Sequence, residues 1–174
     1  MTEPATQRAA ALSKEETLVE TARFAAVHAG LYTDQPASAP WLVTGAVLMA
    51  QQAAALALVS AGDGVPDQSG ATELILRAAS RDRLAPPYTL PLPMAGRQAF
   101  DRLVEARNMF MHPRAVAWHV SPDTLSRGLA QSTRIVRHLV LTQPVVPDLV
   151  AAHEQAQLRE KLEQIDALAE FLST

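Results

Sequence analysis

Residues 41–61 read WLVTGAVLMAQQAAALALVSA, a run without one charged side chain. A stretch this long and this apolar has to leave water around most of its circumference, so the rest of the chain must be arranged about it. Its length raises a membrane-spanning helix. The paired amides Gln51 and Gln52 at its centre and its many alanines argue against lipid, where amides are costly, and no basic cluster flanks it. The expectation is therefore a central helix covered by neighbours or by a second copy of the chain, with no membrane involved. The loop that follows, GDGVPDQSG, has aspartates without the spacing of a calcium loop.

The segments on either side carry helical signals. Ser13 opens a helix with the capping box SKEE, and Leu18, Ala22, Ala25, Ala26 and Ala29 follow at helical spacing until Gly30 ends the run. Ser38 and Pro40 mark the start of the apolar helix. A short helix is expected over 71–81. LAPPYTLPLP, with four prolines in ten residues, forbids helix and predicts an extended surface crossing. Another helix runs from about residue 97 into the stretch EARNMFMHPR. SPDT caps the next, which continues to about Thr142 with Leu125, Leu129, Val136 and Leu139 on its apolar side. Asp148 is the expected cap of the last, over about 149–172, where Leu158, Leu162, Ile165, Ala169 and Leu172 form one face. The fold class read from these signals is all-α: an antiparallel bundle of five to six helices, with the chain 1–174 as a single domain. Residues 1–12 are expected to be frayed, and 143–174 to pack as a C-terminal helix on the bundle or on a second subunit.

Composition narrows the function. The chain has no cysteine, which removes thiolate metal sites and cysteine nucleophiles. Its first residues lack a basic segment followed by an apolar run, so a cytoplasmic location is expected. Aromatic residues are only 5%, against 48% apolar overall, which favours helices in close contact over a β-sandwich. The net charge of −3 conceals a segregation: residues 1–76 carry −5, residues 77–138 carry +6 and residues 139–174 carry −4. All ten basic residues of the middle block are arginine, whose planar fork suits phosphate and carboxylate. The block has two readings: it pairs with its acidic flanks, or it binds an anion.

EARNMFMHPR sharpens the question. At roughly 100° per residue, with Phe100 at zero, Val104 falls near 40°, Met111 near 20°, Leu103 near 300° and Phe110 near 280°. Arg107 falls near 340° on the same scale, inside the apolar arc. A guanidinium stays protonated in a protein, so it either pairs with a carboxylate or its head reaches a cleft open to solvent or to an anion, as a snorkelling stem also would. His112 precedes Pro113, which ends the helix there and leaves the imidazole at a helix C-terminus. Such a histidine either caps the helix or takes part in acid–base chemistry.

ARNMFMHP resembles the signature of the HEPN superfamily, in which an arginine, usually followed by a polar residue, precedes a histidine by four to six positions. Arg107, Asn108 and His112 occupy those places. The same arginine-to-histidine spacing occurs at Arg23–His28 and Arg114–His119, but Phe24 and Ala115 follow those arginines where the pattern has a polar residue. The resemblance implies a helical bundle that dimerises and, in many members, a metal-independent endoribonuclease. In that setting Arg107 holds the scissile phosphate, Asn108 assists in positioning and His112 moves protons in a cleft shared by two copies. It also implies RNA as substrate, no metal or cofactor, and a role as toxin or defence effector with an antitoxin protein as a further partner. The alternative within the family is an inactive module that binds nucleotide, nucleic acid or a partner protein. Arg114, beside the motif, and the row Arg127, Arg134 and His138 (with Gln131 between) either track a phosphate backbone or form a solvated helix face. Tyr88 and Trp118 are the aromatic residues nearest the arginine block, and each either stacks on a base or serves core or loop packing. His153 beside Glu154 reads as a solvated face.

Overall fold

Gly45 sets the closest approach in the molecule's central helix pair. A Cβ there would lie 2.9 Å from the Ala25 Cβ and 3.0 Å from the Phe24 ring, so two helices meet almost backbone to backbone. The computed structural model describes residues 13–66, 68–112 and 117–174. Its helices are α1 (Lys14–Tyr32), α2 (Ala39–Ser60), α3 (Ala71–Ala78), α4 (Met94–Met111), α5 (Pro122–Val136) and α6 (Ala152–Phe171), and no strand occurs among the described residues. The all-α bundle is as expected; residues 1–12, expected to be frayed, lie outside the described residues.

The charge-free run is α2, and it is the axis of the fold, in contact with α1, α3, α4 and α5. It is long and apolar enough to cross a membrane, but 67% of its most apolar window is buried by the rest of the chain. Its buried face includes Leu42, Val43, Val47, Met49, Leu56 and Leu58. Each such side chain contributes about 1.5–3 kcal/mol when fully buried, enough to make this helix the organiser of the core. Contacts Ala25–Gly45 and His28–Ser38 make α1 antiparallel to α2. Leu103 against Gly128 and Gly96 against Gln131 do the same for α4 and α5. Ser126 to Ala169 and Thr133 to Asp166 pair α5 with α6, whose residues Leu158, Leu162, Ile165 and Ala169 are buried as their spacing predicts.

Several boundaries depart from the expectation. The Ser13–Glu16 capping box is present, but α1 continues through Gly30 to Tyr32. Ser38 stands at the start of α2 without capping it; a 3-10 turn, Pro36–Ser38, precedes the helix, and the Ser38 hydroxyl donates to the His28 carbonyl of α1. Gly62, at φ 82°, closes α2, with the Asp63 N–H returning to the Leu58 carbonyl. α3 is shorter than expected, and α4 begins earlier, at Met94. α5 passes into a π-helical segment, Arg137–Thr142, so the expected end at Thr142 is right although the winding changes. Asp148 is not a cap. It takes the left-handed conformation at φ 55° within a turn, and the start of α6 is closed instead by Glu154, which accepts from the Ala151 N–H at 3.2 Å.

Candidate active site

The apolar arc of α4 is buried only where neighbours cover it. Phe100, Leu103 and Val104 lie in the core, Arg107 and Phe110 are half-buried, and Met111 is 60% exposed. The arc thus climbs out of the core along the helix, and Arg107 marks the turn where it surfaces. That corrects the picture of a guanidinium among core residues: it stands at the rim. Partial burial lowers its pKa from the usual value, but it remains a cation.

Among the described residues no acidic side chain stands within ion-pair distance of Arg107. Its partner is Asn108, whose Oδ1 accepts from Nε at 3.1 Å and from Nη2 at 2.8 Å. Two bonds to one oxygen orient the planar fork while leaving its remaining donors unspent. His112 closes α4 as its cap residue in extended geometry, with φ −93° and ψ 122°, and its N–H still donates to the Asn108 carbonyl at 3.1 Å. The helix ends where the sequence places Pro113, and the imidazole is exposed. Arg107 and His112 therefore stand near the same end of α4, the guanidinium bonded to the Asn108 carboxamide and the His112 backbone N–H to the Asn108 peptide carbonyl. The guanidinium's free donors suit an anion, and the exposed imidazole offers a further hydrogen-bonding group near the same helix end.

The chain then returns across this end. The Trp118 indole N–H donates to the Ala106 carbonyl at 2.7 Å, and its ring lies edge-on to Phe110 at 6.3 Å. Phe110 in turn meets Trp41 of α2 edge-on at 5.0 Å. Trp118, read as a possible stacking residue, therefore stands beside the motif; Tyr88, half-exposed, sits in the proline-rich turn region between α3 and α4.

The other basic residues do not gather here. Arg114 lies outside the described residues. Arg127 is exposed and paired with Asp123 at 2.7 Å, one turn back on α5. Gln131 is buried against Gly96, which interrupts the expected row, and Arg134 beyond it is exposed. His138 falls in the π-helical segment with its Nε2 buried and without a hydrogen-bond partner. Gly96 and His112 are 16 residues apart on α4, about 24 Å at 1.5 Å per residue, so Arg134 and His138 belong to the opposite end of that helix. Of the arginine block, Arg77, Arg83 and Arg137 pair with acids of the flanking segments, Asp63 and Asp166, as the first reading of that block requires. Among the described residues no group of three or more His, Asp or Glu side chains is placed to hold a metal ion.

Two features escaped the sequence. The Trp41–Phe110–Trp118 cluster joins residues far apart in the chain, which no local spacing reveals. The second is a set of exposed apolar residues on the adjacent helices α1 and α2, Phe24, Val27 and Leu31 on the first and Trp41 and Leu48, seven apart, on the second. The spacing of three and four on α1 was visible in the sequence but was masked by the stronger alanine stripe. Comparison with known protein families, with curated proteins and with solved structures finds no match for this chain.

Proposed function

We propose that the chain is a HEPN-like, metal-independent endoribonuclease that acts in the cytoplasm as a homodimer, in the manner of a toxin or defence effector held in check by a partner protein. The observation that carries the reading is the half-buried Arg107, oriented by Asn108 rather than neutralised by a carboxylate, at the same helix end as the exposed His112. The chemistry needs no further group. The RNA 2′-hydroxyl attacks the adjacent phosphorus, the P–O5′ bond breaks, and the products are a 2′,3′-cyclic phosphate and a 5′-hydroxyl. One His112 takes the proton from the 2′-oxygen, and the copy across a two-fold cleft delivers one to the departing 5′-oxygen. Arg107 stabilises the charge that builds on the non-bridging oxygens.

The exposed apolar residues Phe24, Val27, Leu31, Trp41 and Leu48 of the paired helices α1 and α2 support the homodimer, because exposed apolar surface gathered on one helix pair suits association. They connect through the Trp41–Phe110 contact to the motif-bearing end of α4. The test is RNA cleavage in buffer containing a chelator. Wild-type protein is expected to leave cyclic-phosphate ends, and His112→Ala or Arg107→Ala to slow cleavage by about 100-fold or more while the helical spectrum is unchanged. Cleavage that survives both substitutions removes the reading. Salt-dependent RNA binding without turnover in the wild type favours the inactive module instead.

A further inference from the structure

Near the motif, the α1–α2 corner, Phe110 and residues 118–122 enclose a groove of about 560 Å³ whose lining includes Tyr32, Pro40, Phe110, Trp118, His119 and Pro122. That volume falls within the roughly 300–1,000 Å³ of pockets that take small molecules. Of the residues named, four carry aromatic rings (Tyr32, Phe110, Trp118 and His119) and two are prolines. Among the described residues no acidic side chain lines it. Trp118 is fixed in place by its N–H bond to the Ala106 carbonyl, so its ring need not be ordered when something stacks there. Phe110 follows Arg107 by three positions on the same helix, an axial step of about 4.5 Å. Arg107 does not line the groove, but its position on α4 is within one helical turn of Phe110, which does.

We infer that this groove seats a nucleobase of single-stranded nucleic acid, adjacent to the phosphate that Arg107 holds. Planar walls without a negative charge fit a base and tolerate the phosphate attached to it. Stacking on such walls accepts any base, because every base has a π-face. The Tyr32 hydroxyl and the His119 imidazole are the side-chain groups named above that can hydrogen-bond a base edge, so discrimination among bases is weak. The positioning of a substrate rests on the ribonuclease reading; the binding of a base does not.

Both tryptophans of the chain, Trp41 and Trp118, belong to this aromatic cluster, so intrinsic fluorescence reports on it directly. The experiment titrates adenosine and, separately, adenosine 5′-monophosphate into the full chain. It compares wild type with Phe110→Leu, Tyr32→Leu and Arg107→Ala, each checked for helical content. Saturable quenching by adenosine is expected in the wild type and in Arg107→Ala, with binding about tenfold weaker in Phe110→Leu or Tyr32→Leu. The monophosphate should bind more tightly than adenosine only while Arg107 is present. Absence of saturable quenching by adenosine, or quenching unchanged in both ring-removing variants, overturns the inference. Quenching by a proline-rich peptide but by neither nucleoside nor nucleotide overturns it as well. Base binding by a protein that cleaves no RNA upholds the groove and rejects the nuclease. Cleavage at wild-type rate by Phe110→Leu, with no adenosine quenching in the wild type, does the reverse.

Discussion

Arg107 illustrates how one residue is placed by the failure of burial around it. Its position on the arc was plain in the sequence, because Phe100, Leu103 and Val104 define the direction of the core. What the angle does not contain is how far along α4 the neighbours extend. Covering ends between Val104 and Arg107, so the same angular position means core at one turn and rim at the next. Asn108 was legible only as a polar neighbour; that its carboxamide grips the guanidinium twice follows from side-chain geometry. Glycines show the same dependence on surroundings. Gly45 has Ala25 and Phe24 within 3.0 Å of a would-be Cβ, whereas Gly30 has nothing within 4 Å. Gly45→Ala is expected to cost about 1–3 kcal/mol by forcing α1 from α2. Gly30→Ala, on an exposed face inside α1, should stabilise by about 0.5–1 kcal/mol. Urea unfolding of the two variants beside the wild type checks both signs.

At the scale of elements, local chemistry located the six α-helices, and it failed at ends where another partner, tertiary at Ser38 and local at Ala151, took over the cap. The Ser13 box was self-contained and held. Ser38 had a competing acceptor in the His28 carbonyl, and Asp148 lost its role to Glu154. The loop between α2 and α3 depends on Asp63, which takes Arg77 at 2.7 Å and Arg83 at 3.0 Å. Burial works to raise the Asp63 pKa, but the hydrogen bond and charge of Arg77, joined by those of Arg83, outweigh it and leave the group below its ordinary value. A carboxylate depressed in the folded state contributes stability that is present above its unfolded pKa, about 3.9, and is lost as pH falls through the folded value. Asp63→Asn should therefore be less stable than wild type at neutral pH, and the gap between their urea midpoints should close in acid below about pH 4. A gap that persists unchanged into acid would mean that Asp63 acts by packing rather than by charge.

For the whole molecule, the charge-free run dictated a buried axis, and α2 is that axis. The segregation of charge dictated less. Several arginines of the middle block settle ion pairs with the acidic segments, and α4 separates Arg134 and His138 from the motif. How two copies would meet is invisible in any spacing, since the exposed residues Phe24, Val27, Leu31, Trp41 and Leu48 come from two helices. In the proposed dimer these residues pair two copies so that their α4 ends share a cleft. Because the chain has no cysteine, His112→Cys gives one labelling site per copy. Spin labels there should report a single distance shorter than the 18-residue helix α4 itself, about 27 Å, and Phe24→Glu should abolish it. A monomer with no label–label coupling, or a dimer whose labels lie farther apart than that helix is long, would contradict the shared cleft on which the proposed chemistry depends.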